Sequence, residues 1–258
     1  MTDTLARERI LVALDYDNAD DALALVKRLA GRVGGFKAGL ELVNAAGPDV
    51  FARLVDAGAV RAAARRGVWM VNVHASGGSA MLRAAREATG SGPNAPLLIG
   101  VTVLTSINDA TLNHDLSVPG AVETQVIHLA RLSQSCGLDG VVASPHEVAV
   151  VRAACGPSFV TVIPGVRPTG VAHGDQARVA TPGEAIRAGA HFLVVGRAIT
   201  GAADPVAAAE AIADEITRAG EAEAAPPAPN SGGAGGTGKP VAVASSGTPR
   251  IGGGGGHS

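Results

Sequence analysis

The chain is poor in cysteine, in long apolar runs and in net charge, and each shortage excludes something. Two cysteines, Cys136 and Cys155, cannot make a disulfide framework, and both sit in apolar helical stretches where free thiols are ordinarily buried. Neither has a patterned His or Cys partner, so no metal is expected. Both point to a reducing, cytoplasmic setting. The longest apolar runs, such as Leu97 to Leu104, fall far short of the ~20 residues a membrane helix needs. The N-terminus is short and mixed in charge, without the apolar stretch of a signal peptide. A formal net charge of -2 leaves no electrostatic footprint for nucleic acid.

What remains is a chain of 258 residues, 47% hydrophobic, of a length that suits one barrel domain. Apolar runs alternate with Ala/Leu-rich segments of helical period. The expected strands are Ile10–Leu14, Gly35–Ala38, Val68–His74, Leu97–Leu104, Gly140–Ala143, Phe159–Ile163 and Phe192–Val195. The expected helices are Ala19–Leu29, Pro48–Val55, Gly78–Ala88, Val122–Ser135, Glu147–Ala154, Pro182–Ala188 and Pro205–Arg218. Nearly continuous apolar strands, each followed by a helix, indicate a parallel sheet covered by helices. Such a sheet is either open and doubly wound or closed into a barrel. Polar residues after nearly every strand favour the barrel, whose active site is built from those ends.

Two intervals break the rhythm. Between Ala38 and Val68 the pattern reads helix, Gly58, then a second helical piece, Ala59–Arg66, with no strand between them. Seven strands are expected where a closed barrel has eight. From Glu221 to Ser258 the composition turns to Pro, Gly, Ser and Ala, too little apolar surface to offset ordering, so a barrel domain over 1–220 and a disordered tail over 221–258 are expected.

The chemistry concentrates at strand ends. Val194-Val195-Gly196-Arg197 closes the last strand with a glycine, where backbone N–H can approach a phosphate, and an arginine that can clamp it. The preceding strand leads into Pro164-Gly165-Val166-Arg167-Pro168, and Gly174-Asp175-Gln176 follows as a polar loop. Two arginines on neighbouring strand ends are costly without an anion, so a phosphorylated small molecule is the economical ligand. Asp15, after the first strand, suits sugar hydroxyls; Lys37 could bridge hydroxyl and carboxylate, or simply pair with Glu41. Asn72 and His74 share a strand face, and His74 is not nominated as a base. Thr105 and Ser106 follow one strand and Ser144 another, hydroxyls that suit a pyrimidine edge or a sugar.

Several blocks together resemble orotidine 5'-phosphate decarboxylase of the bacterial type. They are Val12-Ala13-Leu14-Asp15, Lys37-Ala38-Gly39, Val68 to Ala75, Val101 to Ser106 and Gly137 to Val142, closing with Pro164 to Pro168, Gly174 to Gln176 and Val195 to Arg197. The resemblance covers roughly Ile10 to Ile216, in the family's order. It implies a TIM-type (β/α)8 barrel of the ribulose-phosphate-binding kind, a cytoplasmic homodimer that forms UMP and CO2 without metal or organic cofactor. It further implies that Asp15 binds ribose hydroxyls and that Lys37 lies between ribose and the reacting centre. Thr105 and Ser144 would lie near ribose or base, and Gln176, Gly196, Arg167 and Arg197 would hold the phosphate.

The chain departs from that family at one place. The family's third strand ends in Asp-x-Lys-x-x-Asp, often with a His before the second Asp. Its first Asp crowds the substrate carboxylate, its Lys protonates the carbanion at C6, and its second Asp reaches the partner's site. Here Leu54-Val55-Asp56-Ala57-Gly58-Ala59-Val60-Arg61 carries no such motif, and Asp56 has no lysine two residues on. Catalytic function therefore rests on Lys37 alone. Loss of a strand would expose two sheet edges. The expected protein is a decarboxylase by descent with little or no turnover; the alternatives are a UMP-binding barrel without catalysis and a sugar-phosphate enzyme on the same scaffold.

Overall fold

The computed structural model describes residues 2–47, 50, 69–90, 92, 95–168 and 180–224, with backbone alone at 40, 41, 43 and 222–224. All belong to one compact unit, Met1–Ala225. The expected helices Pro48–Val55 and Ala59–Arg66, the gap between them, Gln176 and the tail beyond 224 lie outside the described residues.

In chain order the elements are α1 (Asp3–Glu8), β1 (Ile10–Leu14), α2 (Ala19–Leu29), β2 (Gly35–Ala38), α3 (Leu40–Ala46), β3 (Met70–His74), α4 (Gly78–Thr89) and β4 (Leu97–Val101). There follow α5 (Val122–Ser135), β5 (Gly140–Val142), α6 (Val148–Cys155), β6 (Val160–Ile163), α7 (Pro182–Arg187), β7 (Phe192–Val195), α8 (Arg197–Thr200) and α9 (Pro205–Ala224). Three strands and two helices match the expected bounds residue for residue, and most others differ by one to three. Two of the differences are informative. β4 stops at Val101, so Thr105 and Ser106 stand in the loop beyond it, where Ile107 N–H donates to the Leu104 carbonyl at 2.9 Å. α9 runs on to Ala224 because Glu221-Ala222-Glu223-Ala224 is as good a helix former as the residues before it. The short helices α1, α3 and α8 carry too few turns for a readable period.

All seven strands are parallel, in the order β2-β1-β7-β6-β5-β4-β3. The sheet curls, and among the described residues β2 and β3 each pair on one side only. Alternation along the strands sorts the side chains into two layers. Ile10, Val12 and Leu14 face outward and pack with Leu25, Val26 and Leu29 of α2 in the main core. Leu11 faces inward and meets Ile99 of β4 and Val162 of β6 across the lumen. On β3, Val71 and Val73 pack outward against Leu82 and Met81 of α4. The alternate residues Asn72 and His74 therefore face the lumen, and both are exposed. On β2 the same alternation turns Gly35 and Lys37 inward, since Phe36 and Ala38 pack with the outer core.

Local chemistry sets the helix starts. Asn18 caps α2 by accepting the Asp21 N–H at 2.8 Å. At α7, Thr181 accepts the Glu184 N–H at 3.2 Å, and Glu184 returns the bond to Thr181 N–H at 2.8 Å, with Pro182 opening the helix. The Thr181 N–H holds the Glu184 carboxyl below its ordinary range.

Candidate active site

The mouth of the curled sheet is formed by the C-terminal ends of parallel strands, so every nominated residue in the described part follows or ends a strand on the same side. Three of them, Asp15, Lys37 and Gly196, converge, with Gly39 beside them. Lys37 Nζ stands 4.0 Å from Asp15 Oδ1. Pairing of Ala13 with Lys37 in the β1–β2 register brings them together. A methyl group on Gly39 would lie 3.5 Å from Lys37 Nζ and 3.7 Å from Asp15 Oδ1. One on Gly196 would lie 3.9 Å from Asp15 Oδ2 and 3.8 Å from the Ala13 Cβ. The end of β7 and the end of β2 thus meet across β1, with Asp15 between them. Both glycines leave room at the point where the polar groups face each other.

Lys37 is the one lysine able to serve this mouth among the described residues. The sequence has three, Lys27, Lys37 and Lys239, and none has an Asp two residues before it. Lys27 lies in the last turn of α2, on the outer helical layer.

The two arginines differ in setting. Arg167 is buried, with its main chain tied to Ala180 by a 2.9 Å hydrogen bond and its Nη1 donating to the Val166 carbonyl at 2.9 Å. Arg197 is exposed in the first turn of α8. Gly196 precedes it and accepts the Ile199 and Thr200 N–H groups through its carbonyl, which fixes the turn that carries Arg197.

Ser144 and Thr105 are less open than the sequence suggests. Ser144 is fully buried, and its Oγ has no hydrogen-bond partner in the structure. Its N–H donates to the buried carboxylate of Glu147 at 2.7 Å. Glu147 was not singled out from sequence, although Ser144-Pro145-His146-Glu147 has the Ser-x-x-Glu spacing of a reciprocal cap. Thr105 is half-buried in the loop after β4. Thr102, also not singled out, is held by its Oγ1 donating to the Val142 carbonyl at 2.8 Å and so stitches the ends of β4 and β5. Gly39 stands in the Lys37-Ala38-Gly39 block but carries no role legible in the sequence, because its part is to leave space between Lys37 and Asp15.

Among the described residues no group of three or more His, Cys, Asp or Glu could hold a metal ion. Nor is any helix there long and apolar enough to cross a membrane.

The fold and the gathering of polar residues at one end define a TIM-type (β/α) barrel with its chemistry at the C-terminal mouth. The sequence profile of the orotidine 5'-phosphate decarboxylase / HUMPS family matches residues 8–212, and the chain belongs to that family. It is 50% identical over 234 residues to orotidine 5'-phosphate decarboxylase of Moorella thermoacetica, covering 82% of this chain and 93% of that protein. The corresponding protein of Alkalilimnicola ehrlichii is 45% identical over 230 residues, covering 82% and 97%. Among solved structures, orotidine 5'-phosphate decarboxylase from Lactobacillus acidophilus superposes with a TM-score of 0.68 at 33% identity, over 80% of this chain and 98% of that one. An uncharacterized conserved protein from Geobacillus kaustophilus gives 0.67 at 32%, over 80% and 99%. Family and relatives assign orotidine 5'-phosphate decarboxylation, the lyase step of pyrimidine biosynthesis, as the function.

Proposed function

We propose that the mouth of this barrel binds orotidine 5'-phosphate and UMP through their ribose-phosphate half. We further propose that the chain as written turns the substrate over far more slowly than its family does. The observation that carries the first part is the convergence of Asp15, Lys37, Gly39 and Gly196. Asp15 accepts from ribose hydroxyls, Lys37 donates toward the ribose and the reacting carbon, and the Gly196-Arg197 turn with Arg167 and Gln176 takes the phosphate. Thr105 and Ser144 lie toward ribose or base. Ser144 is buried, so the loop after β5 must rearrange before its unpartnered hydroxyl meets a ligand.

The second part follows from what decarboxylation demands. The bond from C6 to the carboxylate breaks, carbon dioxide leaves, the electron pair stays on C6 and a proton must be delivered there. Stabilising that carbanion without a cofactor requires charges fixed in advance around it. An alternating carboxylate and ammonium array supplies them in the family, whereas this sequence has no Asp two residues before any lysine. A shortened chain is supported by the Moorella comparison. Its 234 aligned positions use 82% of 258 residues, about 212, leaving about 22 positions with no residue here. Phosphate-end contacts remain, and in such sites remote binding energy normally supports the chemical step. We also propose a cytoplasmic homodimer, on the family resemblance.

The test is loss of orotidine 5'-phosphate and appearance of UMP with a purified sample whose intact mass matches the chain, alongside calorimetric titration with UMP. UMP binding without turnover is expected, and turnover should return when a strand bearing Asp-x-Lys-x-x-Asp is inserted between Gly58 and Ala59. Full turnover by the unaltered chain would overturn the second part; failure to bind UMP would overturn the first.

A further inference from the structure

Trp69 is the sole tryptophan, and it immediately precedes β3, one of the two strands paired on one side only among the described residues. Its carbonyl accepts the Leu97 N–H at 2.9 Å, which anchors it to β4. Its indole packs with the inward-facing cluster and meets Phe192, at the start of β7, edge-on with centroids 5.3 Å apart and planes at 60°. The indole Nε1 also lies 3.4 Å from the point where a methyl group on Gly35 would stand, with Leu11 Cδ2 at the same distance. Gly35 is the first residue of β2, the other one-sided strand. One side chain therefore reaches from β3 to β2, the two outermost strands among the described residues, and the absence of a side chain at Gly35 makes the approach possible.

On its outer face β2 is held by Phe36 and Ala38 against the main core; on its inner face Gly35 meets the Trp69 indole and Leu11. The strand is four residues long, and among the described residues its strand partner is β1. Lys37 lies two residues beyond Gly35, on the same inward face. We propose that Trp69 is a positioning residue: by bracing β2 at Gly35, it places Lys37 beside Asp15 at the mouth. The consequence for ligand binding rests on the reading of Lys37 as a nucleotide contact; the bracing rests on geometry alone.

Three full-length variants test it. Trp69→Leu removes the indole. Trp69→Phe keeps a ring near Phe192 but cannot reach Gly35. Gly35→Val keeps the tryptophan but adds methyl groups beyond a Cβ already 3.4 Å from Nε1 and from Leu11 Cδ2, which forces the indole and β2 apart, and a β-branched residue suits a strand. Thermal melts establish that each is folded. Acylation of Lys37, measured by peptide mass spectrometry against Lys27 on α2, reads the placement without any ligand. All three variants should raise the Lys37-to-Lys27 labelling ratio by about threefold or more, as expected when a local restraint is released. UMP affinity should fall by about tenfold while affinity for inorganic phosphate stays within about twofold, since phosphate is held by other strands. An unchanged labelling ratio in folded variants would overturn the bracing, and so would a wild-type ratio in Trp69→Phe or an equal loss of both ligands. A raised ratio with unchanged UMP affinity would uphold the bracing and overturn the placing of Lys37 in the nucleotide site.

Discussion

Lys37 and Asp15 face each other at 4.0 Å with side chains 44% and 60% exposed, a pair open to water rather than locked into the fold. Exposed pairs of this kind contribute about 0–1 kcal/mol to stability, so removing either partner should leave the thermal midpoint nearly unchanged. Ligand binding should respond differently, because a bound ribose excludes water from the same groups. Asp15→Asn and Lys37→Met are each expected to weaken UMP binding by about 10-fold to 100-fold, the loss of one or two charge-assisted hydrogen bonds. Calorimetric titration beside thermal melts checks both halves. A large drop in melting temperature with intact UMP affinity would reverse the assignment.

Arg86 and Asp139 form a different sort of pair. They meet directly, with Arg86 largely covered, and Asp139 also accepts the Leu98 N–H at 2.7 Å. Asp139→Ala would take this partner from a strand N–H and from a part-buried guanidinium that keeps the Gly90 carbonyl, and is expected to cost about 1–3 kcal/mol. Asp139→Asn, which can still accept from Leu98, should cost less. Urea denaturation of the two variants gives the comparison.

Gly140 opens β5 against Val160 of β6, and a methyl group there would stand 2.1 Å from the Val160 carbonyl oxygen. That oxygen is main chain within the sheet and cannot move without parting the strands. Gly140→Ala should therefore destabilise by about 2–4 kcal/mol, at the upper end of overpacking effects. Gly31, with nothing within 4 Å of the added carbon, has space but a left-handed φ of 77°. Alanine there should cost about 1 kcal/mol from backbone strain alone. Paired denaturation curves should keep that order.

His191 gives the fold an acid sensitivity. Burial, reinforced by Arg152 and Arg9, holds its imidazole below the ordinary value of 6.5. Its Nδ1 sits 2.9 Å from Thr161 Oγ1, and the main-chain N–H of His191 donates to the same oxygen at 3.1 Å. Because the folded state disfavours the proton more than the unfolded chain does, this stabilisation is present above about pH 6.5 and fades as pH falls below it. The melting temperature should decline between about pH 6.5 and 5, and His191→Gln should flatten that decline relative to its own value at neutral pH. An equal slope in the variant would assign the decline to other groups.

Much of this protein was open to reading from its residues. Seven apolar runs became seven parallel strands, because a strand buried on both faces must be apolar throughout. Asp15, Lys37 and Gly196 could be grouped because in such a sheet residues that follow strands share one end. Less could be read where contacts run between distant segments. The loop after β4 carries Thr105 away from the strand, a difference that an apolar run through Leu104 does not reveal. Ser144 and Arg167 look like surface groups by residue type, yet packing around them leaves them 0% and 8% exposed. Nothing local to Val68-Trp69-Met70 says that the indole will cross to Gly35, more than thirty positions earlier in the chain.

By itself, the sequence determined the fold class, the family and the absence of any Asp two residues before a lysine, since these depend on residue type, order and spacing. Tertiary structure alone decided that Asp15 lies between Gly39 and Gly196, that Ser144 is sealed from water and that Trp69, on the β3 side, reaches Gly35 of β2. Those facts depend on how far a twisted parallel sheet curls. The curl is a collective result of packing two layers of side chains, inside and outside, and no single segment encodes it.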